Sequence, residues 1–205
     1  MYIDEYFAKL LSNQYQSHGT ESDWLDLGEF EVKSGVLSIG DCAFFPGDQV
    51  ELDVLPGLYK VQARVIDYGT DRRISQLRAF LNAANFTKES AGDFSVDFAL
   101  VGVCDYGAVS SILDNLSEEA LQDYYNYDYL DYGTLNLGEE PSGRMVYVRS
   151  GWGDGNYDVY KWVTDVGIVG VESVFIDPDE DYMFEDAEEY DILPSSDRSK
   201  IRDIQ

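Results

Sequence analysis

Histidine, cysteine and positive charge are all scarce in this 205-residue chain: one His, two Cys, and fourteen Lys and Arg against forty Asp and Glu. The single imidazole, His18, stands in a polar stretch, so the commonest general base has no neighbouring nucleophile to serve. Cys42 and Cys104 form no C-x-x-C pair. Two cysteines are too few for a disulfide framework, and both read as reduced, partly buried thiols of a cytoplasmic protein. No G-x-S-x-G, H-E-x-x-H or G-x-x-x-x-G-K-[ST] occurs, which argues against a hydrolase elbow, a zincin and a phosphate-cradling nucleotide enzyme. The scarcity of bases excludes direct nucleic-acid binding and attraction to anionic membranes. No apolar window approaches the length of a membrane span. The opening MYIDEYFAKLLSNQ lacks the basic start and apolar run of a secretory signal.

What is plentiful is acid and tyrosine. The formal charge is −26, with 44% apolar residues, 14% aromatics and sixteen Tyr. That apolar share supports a packed core, and the aromatics favour strands. A field of this sign repels polyanions and draws cations and basic proteins.

The periodicity divides the chain into residues 1–24, an N-terminal helix and loop; 25–176, a β-rich core; and 177–205, an acidic tail. Ile3, Phe7, Leu10 and Leu11 share a helical face, while residues 15–23 read as loop. Val50, Leu52 and Val54 alternate before a Pro56-Gly57 turn. Tyr59, Val61, Ala63 and Val65 then face one side of a strand. ISQLRAFLNAANF reads as its hairpin partner across DYGTDRR, with a helix as the competing reading. Phe94, Val96 and Phe98 share a face. Ile112, Leu113, Leu116, Ala120 and Leu121 have helical spacing, and Ser117 followed by Glu118 and Glu119 reads as a helix start. RMVYVRSG is a strand with Met145 and Tyr147 opposite Val146 and Val148, and two further strands flank Asp165-Val166-Gly167. The pattern predicts a mainly β (α+β) fold: an antiparallel β-sandwich or curved sheets with one or two peripheral helices.

Two acidic spacings invite a calcium reading. Asp177, Asp179, Asp181 and Glu188 fit positions 1, 3, 5 and 12 of a calcium loop, but Tyr182 stands where the turn demands glycine. Asp154, Asn156 and Asp158 form a weaker D-x-N-x-D, also without its glycine. Neither qualifies as a metal site, and no cofactor is expected. SGWGDGNYDVYKW, residues 150–162, lies at a strand junction. Glycines spaced by two permit sharp bends. Asp154 is expected to accept backbone N–H bonds in the turn, and Trp152, Tyr157, Tyr160 and Trp162 to anchor sheet packing. The competing reading is a ligand niche built on the glycine backbone and Asp154.

This stretch, followed by VGVESVFI, resembles the C-terminal signature of an uncharacterised bacterial family, a domain of unknown function whose members carry a G-W-G-D-G-x-Y motif before two hydrophobic strands. SGVLSIGDCAFFPGDQVELDVLPGLYKVQARV and VGVCDYGAVSSILD are similar to other parts of it, so the likeness spans roughly residues 34–176. It implies that Gly151, Trp152, Gly153, Asp154, Gly155 and Tyr157 serve structure or a shared ligand. It carries no activity.

Charge placement supplies the functional expectation. No Lys or Arg occurs from Glu89 to Gly143, whereas twelve acids do, and five of the fourteen bases lie between Lys60 and Arg78. LQDYYNYDYLDYG adds five tyrosines to the base-free stretch, and tyrosine beside carboxylate suits an interface. The expected surface comprises Asp123, Tyr124, Tyr125, Tyr127, Asp128, Tyr129 and Asp131, with Asp179, Glu180, Asp181, Glu185, Asp186, Glu188 and Glu189 as a second zone. The expectation is a non-enzymatic acidic interaction protein, an inhibitor or immunity-type protein that blocks a basic toxin, nuclease or DNA-binding protein. The alternatives are a DNA-mimic counter-defence protein and a small-ligand or cation-binding β domain.

Overall fold

The computed structural model describes residues 15–69, 71–82, 85–125 and 130–178, without the side chains of residues 15–18 and 125. The expected helix over residues 2–14 and the acidic tail from residue 179 lie outside them. Among the described residues, twelve strands form two antiparallel sheets. The larger holds β1 (Tyr15–Glu21), β2 (Leu25–Val32), β5 (Gly57–Gly69), β6 (Arg72–Phe80), β7 (Thr87–Val96), β11 (Gly155–Thr164) and β12 (Gly167–Val174). The smaller runs in the order β4 (Gln49–Asp53), β3 (Val36–Asp41), β8 (Leu100–Asp105), β10 (Arg144–Arg149), β9 (Tyr132–Asn136). Helices α1 (Tyr106–Asp114) and α2 (Glu118–Tyr125) connect β8 to β9.

The sheets pack face to face, as the alternation predicts. Phe30, Tyr59, Leu77, Phe94 and Val159 of the larger sheet meet Leu37, Ile39, Val103, Val146 and Val148 of the smaller in one buried cluster. Strand β10 shows why the smaller sheet is buried on both faces. Val146 and Val148 enter this core, while Met145 and Tyr147 join Cys42, Cys104, Val109, Leu113 and Tyr124 under the helices. A strand apolar on both faces requires a third layer, and the helices supply it. Ser117 starts α2 as predicted, its hydroxyl accepting from the Ala120 N–H at 3.2 Å.

Three expectations need correction. Residues 15–21, read as loop, form β1, which lies end to end with β2 along β5. Val65, placed with Tyr59, Val61 and Ala63, is only partly buried, because an irregularity between Arg64 and Val65 hands the core position to Ile66. Phe98 does not share the face of Phe94 and Val96; it sits 59% exposed in the connection from β7 to β8, its ring 5.1 Å from exposed Phe44.

Both cysteines are free and buried. Burial pushes both thiols well above their ordinary range, and Asp41 and Asp105 add to the effect at Cys42 and Cys104 respectively. A protonated, enclosed thiol is a poor nucleophile. Iodoacetamide at mildly alkaline pH is therefore expected to label neither residue in the folded protein and both in denaturant; fast labelling of the native chain would contradict this packing.

Four connections cross between the sheets: 33–35, 54–56, 97–99 and 150–154. Aspartates tie three of them. Asp105, fully buried, accepts from the Lys33 and Ser34 N–H groups through Oδ2 (2.5 and 2.8 Å) and from Ala108 through Oδ1 (2.9 Å), capping α1. Asp41 accepts from the Ala43 and Asp97 N–H groups at 2.8 and 2.9 Å. Asp154 accepts from Ala99 N–H at 3.0 Å. Part of the chain's acidity is thus internal scaffolding rather than surface charge.

The outward face of the larger sheet is closed by cations and aromatics. The Arg78 guanidinium lies 3.5 Å from the Trp24 ring centre and donates to Gln62 Oε1 at 3.1 and 2.6 Å. Phe86 stacks on Trp162 at 4.0 Å, and Lys88 reaches buried Glu172 at 2.5 Å. Such contacts hold a sheet face that has few aliphatic side chains to bury.

Candidate functional site

Helix α2 has one face for the core and one for solvent. Leu116 and Leu121 pack with Tyr124 over the smaller sheet, and the Tyr124 hydroxyl donates to the Cys42 carbonyl. Glu118, Glu119, Gln122 and Asp123 point outward. Tyr124, expected on the binding surface, is therefore a core residue: helical spacing puts it on the face of Leu121, away from Asp123. Asp123 is exposed, as expected. Asp131 is exposed as well; its carboxylate lies 3.4 Å from Arg149 Nε, and its carbonyl accepts from the Arg149 N–H at 2.7 Å. The Tyr125 side chain, Tyr127, Asp128 and Tyr129, and the zone Asp179, Glu180, Asp181, Glu185, Asp186, Glu188 and Glu189, lie outside the described residues.

The structure places further carboxylates beside Asp123. Asp114, Glu118 and Glu119 are exposed with it on the helix layer, and no Lys or Arg occurs between Tyr106 and Gly143. Between α2 and the edge strand β9 runs a shallow groove of about 410 Å³, lined by Leu116, Ala120, Leu135 and Leu137 together with Asp123, Tyr124, Thr134 and Asn136. Leu130, just before β9, is 69% exposed, and Tyr132, the first residue of β9, is 44% exposed. The helix layer thus combines outward-facing carboxylates with accessible apolar surface.

The glycine-rich stretch takes a different role. Residues 150–154 carry the chain from β10 in the smaller sheet to β11 in the larger. Ser150 N–H donates to the Ala99 carbonyl at 3.0 Å, and Gly153 N–H to the Ser150 carbonyl at 2.6 Å. The Gly153 carbonyl accepts from Ser150 Oγ and from the Tyr157 hydroxyl, both at 2.7 Å. Asp154 does accept a backbone N–H, but from Ala99 in the neighbouring crossing rather than from its own turn. Trp152 lies 5.5 Å from the Tyr68 ring, and Tyr157 packs edge-on against Phe175 at 5.1 Å. Asn156 enters an extended strand, where its amide oxygen accepts from Ser95 Oγ, so the D-x-N-x-D oxygens do not converge. The polar groups of the motif are committed to holding two sheet crossings together.

No protein-family model, curated protein or solved structure matches this chain. The likeness carried by Gly151–Tyr157 therefore assigns no activity, and function rests on geometry. Among the described residues, no helix is long and apolar enough to cross a membrane, and no group of three or more His, Cys, Asp or Glu side chains could hold a metal ion.

Gly151 shows how tight the crossing is. Its φ is +29°, and a Cβ there would lie 2.8 Å from Phe175 Cβ and 2.9 Å from Ile176 Cγ1. Backbone strain and overpacking act together, so Gly151→Ala is expected to destabilise by about 2–4 kcal/mol. A urea midpoint unchanged from the parent chain would show that the crossing relaxes freely.

Proposed function

We propose that this chain is a non-enzymatic acidic interaction protein that binds a basic protein partner over its helix layer and blocks it, as an inhibitor or immunity-type protein does. One observation carries the reading: the base-free helix layer holds a groove with a leucine-rich lining beside outward-facing carboxylates. An amphipathic basic segment matches both parts, its apolar side chains against Leu116, Ala120 and Leu137 and its cations against Glu119 and Asp123. The groove lies along β9, an edge strand of its sheet, so an extended segment could also pair with the backbone there. The charge would speed encounter, and the groove would hold the docked partner.

The test is capture of the partner by the immobilised chain. The reading requires a captured protein that is basic, that salt releases, and whose own activity falls when the chain is added. A partner that is acidic, or one retained equally at low and high salt, refutes it. A partner that is displaced by duplex DNA and normally binds DNA would instead favour the DNA-mimic form of the same surface.

A further inference from the structure

A second concave site lies at one end of the sandwich, between the β5–β6 hairpin and the β9 and β10 strands. It encloses about 340 Å³, and three arginines line it: Arg72, Arg73 and Arg149. The size is that of a small-molecule site. The charge is the unexpected part. In a chain of fourteen bases and forty acids, three cations converge here against two lining carboxylates, Asp71 and Asp131.

The cations are positioned. Arg73 Nε sits 2.8 Å from Asp71, its Nη1 donates to the Gly151 carbonyl at 3.3 Å, and its guanidinium lies 5.1 Å from the Trp152 ring centre. The glycine-rich crossing therefore serves as the wall that fixes this guanidinium. Arg72 is more open to solvent: its side chain is 68% exposed, and its carboxylate neighbour Asp67, 3.5 Å away, lies outside the cleft lining. Leu25, Val65 and Ile74 supply an apolar floor, and half-exposed Tyr132 stands on the opposite wall. Each arginine has a carboxylate beside it, Asp67 for Arg72, Asp71 for Arg73 and Asp131 for Arg149. Exposed pairs of this kind contribute little to stability, so a ligand oxyanion can take the place of a partner carboxylate at small cost.

We infer that this cleft is a binding site for a small organic anion, a molecule with one carboxylate or phosphate group and a compact apolar body. The anionic group seats on Arg72 and Arg73, where a guanidinium fork matches either oxyanion. The body covers Leu25, Val65 and Ile74. The site shares no lining residue with the α2–β9 groove and does not depend on it.

Titration of the folded chain with phenyl phosphate, hippurate and inorganic phosphate, followed by amide chemical shifts, tests the inference. At least one of the two aromatic anions is expected to bind at a single site with sub-millimolar affinity, with shifts at β6 and residues 149–152, and inorganic phosphate more weakly. Whichever aromatic anion binds tighter separates a phosphate source from a carboxylate source. Arg72→Ala should weaken binding about tenfold, and Arg72→Glu should abolish it. Because Arg72 is exposed, both variants keep the fold. Lys60→Ala, which removes a cation outside the cleft, should leave binding unchanged. The inference is overturned if neither aromatic anion binds at millimolar concentration, if Arg72→Glu binds as well as the parent, or if Lys60→Ala weakens binding equally.

Discussion

Asp105→Ala is expected to cost about 3–5 kcal/mol of folding stability, the sum of a lost helix cap and two lost charge-assisted bonds. The residue is fully buried, and its carboxylate joins three parts of the chain: the crossing at Lys33–Ser34, the end of β8 and the start of α1. Removing it strands donors at a crossing and loosens the helix layer over the smaller sheet. A domain of this kind holds only about 5–15 kcal/mol in total, so the variant should unfold at much lower denaturant. Asp105→Asn keeps one acceptor oxygen and is expected to fall between the two. Equal stability of Asp105→Ala and the parent, read from urea unfolding, would show that the crossings are held by packing alone.

The second large effect is on association. Glu119→Lys combined with Asp123→Lys reverses two exposed charges one helical turn apart on α2. Neither residue is buried, so the fold should persist. The association rate with the basic partner is expected to drop roughly ten- to a hundredfold at low salt and to lose most of its salt dependence, since steering depends on the local field. Reversing Asp26 and Glu29 on β2, equally exposed but on the larger sheet, should change the rate far less. Equal effects from the two pairs would mean that only net charge matters.

Much of the fold was legible in the sequence because it is written in alternation. The RMVYVR strand announced apolar residues on both faces, and the structure uses them for two separate clusters. Gly, Asp and aromatic residues over 150–157 announced a strand junction, which proved to be a crossing between sheets. Strand β1 was illegible because YQSHGTE has no apolar face; it exists by pairing with the far end of β5. Phe98 misled because alternation continues through a crossing where the chain has already left the sheet. At the proposed surface, the base-free run named Asp123 and Asp131, and both are exposed. It could not show that Tyr124 faces inward, because tyrosine serves core and interface alike. The arginine cleft was invisible for a different reason. Arg72 and Arg73 meet Arg149 only through tertiary packing, and no local spacing encodes that.

Hydrogen exchange of the complex with the captured partner tests the central claim most directly. The account predicts slowed exchange in α2 and β9, the two walls of the groove, with the β6–β12–β11 region unchanged. Protection centred on the outward face of the larger sheet, with α2 and β9 exchanging as in the free chain, would contradict it.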